Sequence, residues 1–231
     1  MASISDSEPR PDDSAQIQHE VGNRANKRRL NETQILQAAE SAFAERGYGG
    51  TTTAAIAKAA NLPKANVHYY FGTKKALYQA VLDNILSLWL EPMRDIQEDD
   101  DPAAALTKYV QSKMRYTRER PSASKVFANE LLHGAAQLED HLKTDLKELV
   151  DDKAGVLNTW IKQGRIKPVD PVHLFFLIWA STQTYADFDV QISAVLGKPA
   201  IDDADFKAAE DTVIQMVLST CGLLSTDVNS G

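Results

Sequence analysis

The sequence is nearly free of cysteine. Cys221 is the only one among 231 residues, which excludes an internal disulfide framework and a thiolate ligand set and makes a reducing cytoplasm the expected compartment. Long apolar runs are also missing. No stretch approaches the roughly 18 to 20 apolar residues that span a bilayer, and the acidic, polar start MASISDSEPRPDD is unlike a secretory signal, so no membrane partner is expected. No segment alternates as a strand would, which leaves an all-α fold. The motifs of catalysis are absent too. His19, His68, His133, His141 and His173 are scattered, with no HExxH, no Gly-rich phosphate loop and no activated nucleophile. Neither a metal nor any other cofactor is expected, and an enzyme working in a cavity of the helical body is the rival reading of another class.

What is present is a strong asymmetry of charge. The chain carries a formal −7, yet residues 24–75 hold nine lysines and arginines against three glutamates, a net of +6, so the remainder carries −13. A basic head on an acidic body points to a polyanion as partner of the head alone. Hydrophobic residues make up 43% of the chain, enough for a core without staples.

Residues 1–26 are rich in Ser, Asp, Pro and Gln, lack apolar periodicity, and read as a disordered arm. The cluster Lys27, Arg28, Arg29 that ends it is either a solvated run or a phosphate-touching segment. Leu30, Ile35, Leu36, Ala39, Phe43 and Ala44 then recur at helical spacing up to Gly47, placed as a left-handed cap. A turn at Gly49–Thr53 leads into a short helix anchored by Ile56. Asn61, Leu62 and Pro63 interrupt, Lys64 to Phe71 forms a third helix, and Thr73 opens a fourth that runs to about Ile96 with Pro92 inside it, where a kink or an end is expected. Further helices are expected over 102–119, 122–133, 138–164, 170–196 and 204–224.

Two short helices around a three-residue break make a helix-turn-helix. Ile56, Ala57, Ala60, Leu62, Val67 and Phe71 would set the angle between them, leaving Lys64, Ala65, Asn66, His68 and Tyr69 to face the major groove of double-stranded DNA. Thr51, Thr52, Tyr70 and Lys74 are placed for phosphates. An aromatic run such as His68 to Phe71 is more often core than contact, but the flanking lysines and the local charge favour contact.

The stretch TTTAAIAKAANLPKANVHYYFGTKK resembles the DNA-binding domain of the TetR family over residues 30–80, with a Gly turn, a short recognition helix ending in aromatics, and a Thr-Lys pair opening the next helix. Asn61 and Pro63 depart from the usual Gly and Ser. Asn tolerates a left-handed conformation and Pro suits a helix start, so the turn should survive. The resemblance implies a three-helix DNA-binding domain over 27–73 and a larger helical domain over 74–231 for effector binding and dimerisation. It also implies a regulator, expected to be a repressor, that binds operator DNA as a homodimer and is released by a small molecule.

The segments SLWLEPM, RERPSASKVFANELLHGA and HLFFLIWASTQTYADF resemble a narrower subgroup, the pyrimidine-sensing RutR type. In that subgroup the IWASTQ stretch lines the effector pocket, which implies Trp179 and Gln183 here and a uracil- or thymine-like effector. The two residues are four apart on one helix and share a face, where an indole can stack on a flat ring and an amide can pair with a carbonyl and its neighbouring N–H. Trp89, Met114, Phe127 and Glu130 are the expected neighbours in the pocket, each of them also plausible as core. Thr184 replaces a His of the subgroup, and this leaves open an unrelated metabolite or a lipophilic effector.

The helix over 170–196 is apolar around most of its circumference. Phe175, Phe176, Leu177, Ile178, Trp179, Tyr185, Phe188 and Val190 exceed what one core absorbs, so with the helix at 204–224 it is expected to build a four-helix dimer interface; a fully buried core helix is the alternative. A filled body without a cavity would instead mark a DNA-binding protein that ignores ligands.

Overall fold

The computed structural model describes the backbone of residues 11–224 and the side chains of residues 26–224. Every element among them is helical. Helix α1 (Pro11–Gly50) carries the first core stripe, Ile35, Ala39 and Phe43, all buried. Its start corrects the expectation of a disordered arm from Pro11 onward, while residues 1–10 of that arm lie outside the described residues. Ala, Gln and Glu between 15 and 26 are good helix formers, and lengthening a helix already nucleated by packing needs no second nucleus. Gly47 sits at φ 66° and ψ 174°, outside helical geometry, so the chain turns there as expected.

Helices α2 (Thr53–Ala59) and α3 (Lys64–Phe71) follow, and Asn61 between them adopts φ 52°, the left-handed conformation the turn needs. Thr52 caps α2 by accepting from the Ala55 amide at 3.1 Å. Pro63 stands just outside α3 at ψ 142°, which fixes the helix start at Lys64. Ile56, Ala57, Ala60 and Val67 pack on Ile35, Ala39, Phe43 and Leu77 in one buried cluster, with Leu62 and Phe71 at its edge.

Helix α4 (Lys74–Arg94) leaves this head and enters the body, its N-terminus capped by Thr73, which accepts from the Ala76 amide at 3.1 Å. Pro92 is buried near its end, and the helix stops two residues later. Helix α5 (Pro102–Glu119), α6 (Pro121–Leu132), α8 (Lys147–Lys162), α9 (Pro171–Asp187) and α11 (Asp203–Cys221) build the body around Leu106, Tyr109, Leu157, Trp160, Phe175 and Val217. The head is not a separate core. Its apolar cluster continues through Leu82, Ile85 and Trp89 into Ala123, Val126 and Phe127 of α6.

Two of the expected long helices are interrupted. The 138–164 segment begins as the single turn α7 (Glu139–His141), passes through a π-helical stretch at Leu142–Leu146, and only then becomes α8. The 170–196 segment breaks at Phe188 (φ −119°, ψ 32°) into α9 and α10 (Asp189–Leu196). Both aspartates flanking the break are drawn toward α6: Ser124 Oγ donates to Asp187 at 2.5 Å and Lys125 Nζ pairs with Asp189 at 2.8 Å. At the break the Asp189 carboxylate also accepts from the Val190 amide at 2.9 Å, and such a local side-chain acceptor gives the backbone an alternative to continuing the helix.

Candidate nucleic-acid interface and ligand cavity

The head presents α3 as expected. Lys64, Ala65, His68 and Tyr69 are exposed, Tyr69 at 74%, while Val67 is buried beneath them and Asn66 is half-buried. A tyrosine exposed to that extent lies outside the core of the head. His68 Nδ1 lies 3.0 Å from the Gly72 carbonyl, which holds the ring along the helix end. Lys58, Lys64 and Lys75 are exposed as well.

Four residues expected at phosphates divide into two kinds. Thr52 is exposed, with its hydroxyl already capping α2. Thr51, by contrast, is 1% exposed and donates to the carbonyls of Gly47 at 2.8 Å and Ala42 at 3.0 Å, so it pins the turn after α1. Lys74 is half-buried. Its ammonium donates to the carbonyls of Tyr48 (2.7 Å) and Thr51 (2.9 Å) and lies 4.3 Å over the Tyr48 ring, so it clamps that same turn to α4. Tyr70 accepts from Asn31 Nδ2 at 3.1 Å, tying α3 to α1. These three hold α3 and the turn before α2 in place. A short polar residue after a Gly turn looks alike in sequence whether its hydroxyl faces solvent or the turn's own carbonyls.

Within the body, a cavity of about 190 Å³ opens between α4, α5, α6 and α9. Four of the six residues expected to bind ligand meet there: Trp89 from α4, Phe127 from α6, and Trp179 with Gln183 from α9. The Trp89 and Phe127 rings are 5.1 Å apart, and Trp179 Nε1 donates to the Tyr109 hydroxyl at 2.7 Å. Leu86, Leu142 and Leu146 close the apolar sides.

The other two belong elsewhere. Met114 is buried on the side of α5 that faces an open, charged cleft of about 600 Å³ between α4, α5 and α11. Glu130 is fully engaged as a structural acceptor, taking a hydrogen bond from Tyr78 Oη and another from the Gln137 amide, both at 2.8 Å. Burial, and after it the hydrogen bond to Glu130, holds the Tyr78 phenol well above its ordinary pKa. Helical spacing alone could not separate neighbouring faces of α5 and α6.

Lys113 is the cavity residue that sequence reasoning missed. It is 4% exposed, lines the cavity, and carries its Nζ 4.0 Å over the Trp89 ring. Burial pulls its pKa down to about 7, with Asp187 partly opposing the shift. A signal existed: Leu106, Tyr109, Val110, Lys113 and Thr117 form one buried stripe at helical spacing, so the lysine stands on an apolar face.

Two ties join this region to the head. Arg120, at the start of α6, makes a two-pronged ion pair with buried Glu40 of α1, and the Tyr78–Glu130 hydrogen bond joins α4 to α6.

Comparison with known proteins fits both halves of this arrangement. The profile described as bacterial regulatory proteins, tetR family, matches residues 35–81, and that of the C-terminal region of YcdC-like proteins matches residues 82–224. The chain is 43% identical over 184 residues to the HTH-type transcriptional regulator RutR of Escherichia coli K12, covering 80% of this chain and 87% of RutR. The chain belongs to the TetR family. It is a transcriptional regulator of the RutR type, with the helix-turn-helix head and helical body of TetR proteins. Among solved TetR-like structures, FadR of Bacillus subtilis in complex with stearoyl-CoA superposes with a TM-score of 0.62 at 21% identity, over 81% of this chain and 98% of FadR. AibR in complex with isovaleryl coenzyme A and operator DNA gives 0.60 at 23%, over 80% and 97%. Both likenesses concern the fold. A more distant relative in sequence is the transcriptional repressor NicS of Pseudomonas putida, 27% identical over 83% of this chain and 91% of NicS.

Proposed function

We propose that this TetR-type regulator is a repressor that grips operator DNA as a homodimer through α3 and is released when a small planar effector enters the cavity between Trp89 and Trp179. The observation that carries the reading is the cavity itself. It is lined by two indoles, a phenyl ring and leucines, together with the Gln183 amide, which has no hydrogen-bond partner among the described residues, and it shares α4 with the head. Its volume of about 190 Å³ lies below the range of drug-sized pockets. It suits a single ring of the uracil or thymine kind better than an acyl-coenzyme A.

Release follows from mechanics. Leu86, Trp89, Leu90 and Met93 on α4 form one wall, so a ring wedged against Trp89 favours one placement of α4 against α6. The Glu40–Arg120 and Tyr78–Glu130 ties pass that placement to α1 and α4 of the head. A differential affinity of about 1 to 3 kcal/mol between the two states is enough to lower operator occupancy several-fold or more. The second protomer would cover the exposed apolar groups of α9 and α10, Phe176, Leu177, Phe188, Val190 and Val195.

The test is a thermal-shift screen against nucleobases, followed by operator binding with and without the hit. Uracil or thymine should raise the melting temperature of the wild type but not of Gln183→Ala, and should release DNA. An effector that binds yet leaves operator affinity unchanged at saturation rules out the release model.

A further inference from the structure

The polar groups that face the cavity have an uneven chemistry. Trp89 Nε1 is buried with no hydrogen-bond partner. Lys113 Nζ makes no hydrogen bond or ion pair among the described residues and meets only the Trp89 ring. Tyr109 Oη accepts from Trp179, and its own hydrogen has no acceptor among the described residues. Three residues that line one small space thus carry a donor with no acceptor among the described residues, and Gln183 adds an amide able to accept as well as donate. Buried donors left unmade are costly, and a cation without a counter-charge is more so.

We infer that the Lys113 ammonium is the receptor for a negative charge on the effector: the occupant is a small planar ring acid, bound as its anion, with an enolate or carboxylate oxygen on Lys113 and further acceptors toward Trp89 Nε1 and Tyr109 Oη. This rests on the proposed effector role of the cavity and narrows its ligand class. The ring of such an anion still stacks on the indoles, and Gln183 still pairs with a carbonyl and an N–H. The lowered pKa of Lys113, caused by burial, agrees with a cation awaiting its partner. Asp187, on α9, is the carboxylate whose charge acts on Lys113, and it is already held by Ser124. Tyr109, on α5, keeps its proton because burial drives its pKa upward.

The test compares three probes by titration calorimetry on the full-length protein: uracil, neutral near pH 7, barbiturate, the same ring carrying an enolate, and orotate, the same ring carrying a carboxylate. At least one anion should bind roughly tenfold or more tighter than uracil, the scale of a charge-assisted hydrogen bond. Comparison of the two anions shows which oxygen Lys113 receives. Lys113→Met, close in volume, should erase that preference for the anion over uracil. Wild-type titrations in two buffers of different ionisation enthalpy give a readout independent of the variant. Anion binding near pH 7.5 should take up part of a proton as Lys113 becomes fully charged, and uracil binding should take up none. Tightest binding of uracil, sensitive to Gln183→Ala, would overturn the inference and leave the effector reading standing. Survival of the anion preference in Lys113→Met, or anion binding without proton uptake, would overturn it as well. Silence from all three probes would remove both.

Discussion

Arg120 and Glu40, eighty positions apart, join the first turn of α6 to the middle of α1 by two parallel hydrogen bonds, with Nε donating to Oε1 at 3.2 Å and Nη2 to Oε2. Glu40 is buried while Arg120 keeps a third of its side chain in solvent. The pair is therefore a joint between the helix-turn-helix head and the helical body, and removing one partner strands a buried charge. Arg120→Met should lower stability by about 2 kcal/mol, below the range for a fully buried pair because of that exposure. It should also weaken the response of DNA binding to effector more than DNA binding itself. Chemical denaturation and operator titrations with and without ligand check both parts, and an unchanged effector response would show that the joint carries no coupling.

The head should respond differently to its two lysine types. Lys64 is exposed on the reading helix, so Lys64→Ala should shift sequence preference and cost about 1 to 3 kcal/mol on the best operator. Lys74 holds the carbonyls of Tyr48 and Thr51, so Lys74→Met should weaken binding to all sequences and also lower the melting temperature. Equal effects of the two variants on every duplex, with no loss of stability in the second, would mean that the surfaces are wrongly assigned.

For the second protomer, Phe176 and Val190 are the sharpest probes, 48% and 79% exposed on adjacent apolar helices. Phe176→Glu should yield a folded monomer by sedimentation and lose cooperative operator binding. A dimer unaffected by charges at both positions would place the interface elsewhere.

Lys113 gives the ligand-free protein a pH signature. Its folded-state pKa of about 7 lies below the ordinary lysine value of 10.5, so above pH 7 the unfolded chain binds the extra proton and stability rises with pH. The slope is at most about 1.4 kcal/mol per pH unit. The desolvation penalty is fully present below pH 7 and is relieved as pH climbs from 7 toward 10.5. Lys113→Met should therefore exceed the wild type in melting temperature at pH 6, with the gap closing by pH 9. A constant gap across that range would mean that the lysine does not titrate in the fold.

Gly47, Asn61 and Thr73 were legible in the sequence because each does local work, in a left-handed turn or a helix cap, that few other residues can do. Trp179 and Gln183 were legible from their spacing on one helix together with the subgroup's IWASTQ stretch. What escaped depends on partners far along the chain. The aspartates on either side of the break at Phe188 find their partners in Ser124 and Lys125 on α6, and the withdrawal of Glu130 from the cavity follows from Tyr78. The burial of Thr51 depends on which way one hydroxyl turns, toward solvent or toward the carbonyls of Ala42 and Gly47. Periodicity reports a face, but it does not report what the opposite element brings to it.

The π-helical stretch at Leu142–Leu146 supplies two walls of the cavity, Leu142 and Leu146. Such a stretch is an α-helix carrying one surplus residue. Deleting that residue would restore the regular pitch and swing Leu142 by about 100° around the axis, with α8 still anchored by Leu157 and Trp160. The breadth of molecules this scaffold can sense is therefore open to change by a one-codon gain or loss at its rim, a route that leaves every stacking and hydrogen-bonding side chain in place.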